Sequence, residues 1–208
     1  MANGDHDSPR RAGGLFLDEC SRWQLMMRET HGMGWTRVST EVVHQGLFLS
    51  LFRDFVIRPD GSRGTYEHVA VDDTVRVVAL DGQGHVVLVE DDFCLQARRV
   101  LHLPGGGTSG QEPCTAARRE LAEETGRTAS EIRALSIIDP LPGVTTARTH
   151  LYLATGLREG PPSREATEAA MQVITMPLSA AVAAVEDGRI TEAGSVVGLL
   201  LAHRYQKG

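Results

Sequence analysis

The sequence predicts an α+β fold: a mixed β-sheet between helices, an α/β/α sandwich, preceded by an N-terminal β segment and a helical extension. Three observations carry the prediction. Runs rich in β-branched residues recur along the chain, joined by turn signals such as Pro59-Asp60-Gly61 and Asp81-Gly82-Gln83-Gly84. Helical spacing of apolar residues is confined to a few short stretches, and no internal repeat is visible. At 208 residues the chain is long enough for one sizeable core with a small accessory element.

Taken in order, residues 1–14 have no apolar core of a signal peptide and read as a disordered leader. Residues 15–30 carry helical apolar spacing through Phe16, Cys20, Trp23, Met26 and Met27, which suits a helix docking on the main body or on a second subunit. HGMG at 31–34 reads as a linker. Residues 39–71 read as β structure, with LFLSLFRDFVIR and TYEHVAV on either side of the PDG turn. Residues 74–80 and 85–89 form a hairpin, and 99–103 a strand leading into a glycine loop. A short helix follows, with Pro113 suited to its first turn and Gly126 to the left-handed residue after its last. Strands are expected at 132–139 and 149–157, and helices at 178–186 and 192–205. The organisation is therefore 1–35, leader plus helix; 36–72, β segment; and 73–208, main domain.

Bulk properties exclude several functions. The net charge of −6 gives no footprint for nucleic acid or anionic lipid. No apolar run approaches the ~18 residues of a membrane span. Cys20, Cys94 and Cys114 show neither a disulfide framework nor zinc-ligand spacing, which suits a reducing cytoplasm. There is no Walker loop, HExxH or GxSxG, and Gly82-Gln83-Gly84 is a turn rather than a dinucleotide fingerprint.

The chemistry concentrates in residues 103–127, LPGGGTSGQEPCTAARRELAEETGR. Glu120 and Glu123 are spaced i, i+3 and Glu120 and Glu124 i, i+4, so the three carboxylates share one helix face. Such a cluster suits hard divalent cations. Gly105 and Gly106 free the backbone before it for close approach. A charged helix of this kind is, by itself, more often a solvated surface; the fixed distance from the glycine loop weighs against that here.

The stretch resembles the Nudix hydrolase signature, G-x5-E-x7-R-E-U-x-E-E-x-G-U. Gly105, Arg119, Glu120, Leu121, Glu123, Glu124 and Gly126 match; Gln111 replaces the first glutamate, with Glu112 one residue late, and Arg127 replaces the closing aliphatic. Residues 36–205 further resemble the ADP-ribose pyrophosphatase branch through the PDG turn, Pro142-Gly143, His150 with LYLATGL, and Val173, Pro177-Leu178 and Gly188-Arg189-Ile190. The resemblance implies the Nudix fold and Mg2+-dependent hydrolysis of a pyrophosphate bond, with Mn2+ as an alternative ion. It implies metal ligands at Glu120, Glu124, Glu123 and the Gly105 carbonyl. Arg119 is expected to orient the carboxylates by hydrogen bonding, and a loop glutamate, Glu168 before Glu165 and Glu159, to serve as base. Substrate contacts are expected from Gly105, Gly106, Pro142, Gly143 and either Arg98 or Arg99, and the subunits are expected to form a homodimer.

Departures from the branch concern the substrate more than the chemistry. Gln111 can hydrogen-bond Arg119 but carries no charge. VEDDF, residues 89–93, stands where the branch carries a basic segment with an arginine near the diphosphate, and His102 replaces a glutamate. Three readings follow: a pyrophosphatase of ADP-ribose or a related nucleoside diphosphate, one acting on NAD or a modified dinucleotide, and a non-hydrolytic module that binds ADP-ribose. Trp35, Phe48, Phe52 and Tyr66 are candidate stacking partners for a base.

Overall fold

The structure is a computed structural model that describes residues 34–163 and 170–206. The expected leader and N-terminal helix lie outside the described residues, as do Glu165 and Glu168. Two sheets are present. The first is antiparallel, ordered β1-β2-β3, with β1 Thr36–Gln45, β2 Ser50–Ile57 and β3 Arg63–Ala70. The second has six strands, five of them in the order β6-β5-β4-β8-β7, formed by β4 Thr74–Leu80, β5 His85–Phe93, β6 Arg98–His102, β7 Arg127–Ile138 and β8 Thr149–Glu159. A ninth strand, β9 Gln172–Pro177, pairs with β5.

Both faces of the six-stranded sheet are covered, which explains why β4 is almost uniformly apolar. Alternate β4 residues point to opposite sides. Val75, Val77 and Ala79 pack with Ala116, Ala117 and Leu121 of α1, Pro113–Thr125. Val78 and Leu80 pack instead with Leu178, Ala181 and Ala184 of α2, Leu178–Glu186, and with Leu199 and Ala202 of α3, Ala193–Gln206. The expected α/β/α sandwich is thus present, with the motif helix, among the described residues, alone on one side.

The hairpin around Asp81 forms as expected, with Ala79 opposite Val87. Three elements differ from the sequence reading. Strand β9 was not anticipated. Strand β7 begins at Arg127, because its polar first half is held by register against β8, with Arg127 opposite Glu159. In the N-terminal sheet, β1 begins at Thr36 and is exposed throughout. This sheet meets the main domain where Tyr66 Oη donates to Gly143 O at 2.8 Å and Val69 N donates to Val144 O at 2.8 Å. Its own polar centre is Asp54, 4% exposed, which accepts from Thr40 and pairs with Arg37.

Candidate active site

The glycine loop is tied to the edge of β4 by backbone bonds. Val77 N donates to Pro104 O at 2.9 Å, Val75 N to Gly106 O at 2.9 Å, and Thr108 N to Asp73 O at 2.8 Å. Asp73 is held in turn by His150, at 2.9 Å. Gly105 has φ +144°, and a Cβ there would collide with Val75 O. At Gly106 a Cβ would lie 2.7 Å from Glu120 Oε1, so the missing side chain lets a carboxylate reach the loop backbone.

Helix α1 opens on Glu112, whose carboxylate accepts from Thr115 N at 3.0 Å, and closes on Gly126 at φ 70°. The glutamate that stands one residue late in the motif is therefore the helix N-cap. Glu120, Glu123 and Glu124 project into one cleft of about 450 Å³, as the helical spacing required. Glu120 and Glu124 are buried, 7% and 3% exposed, and Glu124 Oε2 accepts from Gly105 N at 2.9 Å. Arg119 ties the cluster together. It donates to Glu123 at 2.7 Å, Glu120 at 2.8 Å, Gly107 O at 3.0 Å and Gln111 Oε1 at 3.2 Å. Burial works against its charge, but Glu120 and Glu123 outweigh that and raise its pKa. Gln111 thus keeps the expected hydrogen bond.

The cleft is also lined by Phe48, Arg76, Asp91, Phe93, His102 and Met171. The VEDDF segment divides by strand alternation: Asp91 and Phe93 face the cleft, whereas Glu90 and Asp92 pair with Arg99 at 3.0 and 3.6 Å. Both arginines expected near the substrate are engaged with other partners. Arg99 is held by Glu90, Asp92 and Ala170 O, and Arg98 donates to Thr191 Oγ1 at 2.9 Å; neither lines the cleft. Pro142 and Gly143 do not line it either, since Gly143 faces Tyr66 of the N-terminal sheet. Of the candidate stacking residues only Phe48 reaches the cleft. Trp35 packs edge-on to Tyr66 and Phe52 stacks on His68. Glu159 pairs with Arg127 at 3.3 Å.

Sequence reasoning missed Arg76, whose signal was a lone charge inside the β-branched run TVRVVAL. Its Nε donates to Glu192 at 3.2 Å. Glu192 also caps the start of α3, accepting from Ser195 N at 2.7 Å, Ser195 Oγ at 2.6 Å and Gly194 N at 3.1 Å. Burial opposes ionisation of Glu192, but Arg76 and these donors win, and its pKa is lowered. An unfolded glutamate titrates near about 4.3. The stability from this cap is therefore present above that pH and is lost as pH falls through the lower folded value. Urea unfolding between pH 6 and pH 3 should show this loss, and Glu192→Gln should flatten the acid limb while lowering stability at neutral pH.

His102 is 3% exposed, and its Nε2 has no hydrogen-bond partner among the described residues. An unpaired buried group of this kind costs about 1–3 kcal/mol. Burial, followed by the charge of Arg76, pushes its pKa below the usual histidine value.

The donor set fits a divalent cation. Four carboxylates face the cleft against two guanidiniums, and backbone oxygens of the glycine loop stand beside them. Among the described residues no three acidic, histidine or cysteine side chains converge into a closed cage.

A NUDIX domain model matches residues 71–193, more than half of the chain, and a nucleoside diphosphate sugar hydrolase N-terminal domain model matches residues 35–69. The chain belongs to the Nudix family. Among its Nudix relatives, an ADP-ribose pyrophosphatase of Mycobacterium tuberculosis is 35% identical over 82% of this chain and 84% of that protein. A CMP-5'-(N-acetyl-N-hydroxy-3-aminopropyl)phosphonate hydrolase of Streptomyces rubellomurinus is 30% identical over 81% and 82%. A crystal structure of an ADP compounds hydrolase superposes with a TM-score of 0.74 at 20% identity, covering 86% of this chain and 98% of the other, and so shares the Nudix fold. The protein is a Nudix pyrophosphohydrolase, from a family that generally uses divalent metal ions.

Proposed function

We propose that the protein hydrolyses the pyrophosphate bond of ADP-ribose in the presence of Mg2+, giving AMP and ribose 5-phosphate. The observation that carries this reading is the convergence of Glu120, Glu123 and Glu124 on one cleft beside the backbone of Gly105–Gly107. The similarity to an ADP-ribose pyrophosphatase supplies the substrate class.

Glu120 and Glu124 would hold the ions, with the Gly105 carbonyl and with Glu123 directly or through water. Bound there, Mg2+ stabilises charge on phosphoryl oxygens and lowers the pKa of water. Arg119 holds Glu120 and Glu123 aligned through charge-assisted hydrogen bonds. The loop backbone, held on β4, gives the diphosphate a surface without side-chain bulk. The general base is assigned to Glu168, with Glu165 second.

A second reading keeps the chemistry and changes the substrate to NAD or a modified dinucleotide. Asp91 and Phe93 in the cleft favour it, because a carboxylate beside an aromatic ring suits a cationic heterocycle. The similarity to a hydrolase of a CMP-linked phosphonate supports a substrate other than ADP-ribose.

We place the enzyme in the cytoplasm, in keeping with free thiols at Cys94 and Cys114, and as a homodimer. The apolar residues Val38, Val42 and Val43 on exposed β1 support pairing through the N-terminal sheet.

Product analysis with excess Mg2+ on ADP-ribose, NAD, ADP-glucose and GDP-mannose tests the reading. The expected result is AMP and ribose 5-phosphate from ADP-ribose at the highest kcat/KM. Preferred turnover of NAD would move the assignment to the second reading. Metal-independent binding of ADP-ribose without turnover of any compound would leave a binding module.

A further inference from the structure

Among the cleft side chains outside the carboxylate cluster and its loop, Arg76 and His102 offer nitrogen atoms to a ligand. Arg76 sits on β4 between Val75 and Val77, both fully buried. Its stem is admitted by Gly194 at the start of α3, where a Cβ would come within 2.9 Å of Arg76 Cγ. The guanidinium is aimed from two sides: Nε donates to Glu192 at 3.2 Å and Nη1 to Val75 O at 2.9 Å. Glu192 is fixed by Ser195 and Gly194, and Ser195 Oγ accepts from Leu103 N at 2.8 Å. Nη2 makes no hydrogen bond among the described residues. A side chain held this firmly at the wall of a cleft is preorganised for an anion.

His102 lines the same cleft, close enough to Arg76 to feel its charge. Its Nδ1 contacts Leu103 O at 2.9 Å and must donate there, since a carbonyl only accepts. In the neutral ring Nε2 is then an acceptor, and it has no partner among the described residues. Phe93 packs edge-on to the imidazole, with centroids 5.3 Å apart. A donor fork and, among the described residues, an acceptor without a partner therefore line the same cleft.

We infer that Arg76 and His102 form a substrate-selecting subsite, in which the guanidinium donates to a phosphoryl oxygen and His102 Nε2 accepts from a hydroxyl of the adjoining sugar. Glu192 is the positioning residue that aims Arg76. The subsite takes a phosphate ester flanked by a free hydroxyl, and it supplies from β4 the positive charge that VEDDF lacks. This inference rests on the hydrolase reading of the cleft.

Steady-state kinetics with Mg2+ test it, using ADP-ribose and analogues lacking a single hydroxyl on either ribose, on wild type, Arg76→Ala, Arg76→Lys and His102→Phe. Absence of wild-type turnover would count against the hydrolase reading itself. Given turnover, Arg76→Ala should raise KM roughly ten- to hundredfold with kcat within about threefold. Arg76→Lys should recover only part of this, since it keeps the charge and loses the fork. Wild type should disfavour one deoxy analogue, and His102→Phe should erase that discrimination. An unchanged KM in Arg76→Ala together with a lowered Tm would make Arg76 a strut for α3 and overturn the subsite. Discrimination that survives in His102→Phe, or is absent in wild type, would remove the hydroxyl contact.

Discussion

Glu124→Gln should lower kcat about a thousandfold while leaving the fold intact. The side chain is 3% exposed and accepts from Gly105 N at 2.9 Å, a bond that the glutamine amide oxygen can still make. The loop therefore stays docked while the carboxylate charge is removed. That charge is one of the two buried carboxylates assigned to the ions, whose stabilisation of phosphoryl charge is worth several kcal/mol. A loss of about 4 kcal/mol corresponds to a factor of about 10³. Single-turnover rates at saturating Mg2+, with circular dichroism and Tm as controls, make the measurement. A variant within tenfold of wild type would show that Glu124 is a loop anchor rather than a metal ligand.

Gly105→Ala should damage both stability and activity. A φ of +144° lies where L side chains are strained, at a cost of about 1–3 kcal/mol. The added methyl would also overlap Val75 O, a carbonyl on the central parallel strand pair β4–β8 that cannot yield without disturbing the sheet. Together these effects amount to about 3 kcal/mol or more, which in a chain of this size lowers Tm by roughly 6–12 °C. Relief requires the loop to leave β4, breaking the bonds from Val75 N and Val77 N and carrying the Gly105 carbonyl away from Glu120 and Glu124. Activity should then fall even at temperatures where the variant is folded. A Gly105→Ala protein with wild-type Tm and kcat would show that loop geometry is incidental to the site.

The sequence by itself determined the parts governed by local rules. Helical periodicity put Glu120, Glu123 and Glu124 on one face, and Pro113 and Gly126 marked the ends of that helix. β-branched runs around Asp81-Gly82-Gln83-Gly84 specified the central hairpin, and the alanine-rich stretch before Gly188 specified α2. Hydrogen-bonding capacity alone was enough to anticipate the Arg119–Gln111 contact.

Only the tertiary structure decided which residues share the cleft with that helix. Arg76, Asp91, Phe93 and His102 come from three strands and meet the carboxylates through sheet pairing, which no local pattern encodes. The same pairing turned Arg99 away from the cleft, because β5–β6 register sets Asp92 opposite Arg99 and leaves Asp91 on the other face. A one-residue shift would have reversed those roles. Strand β9 and the first half of β7 likewise owe their conformation to partner strands rather than to propensity. The chemistry was legible because it lies on one helix; the substrate-facing wall was not, because long-range pairing builds it.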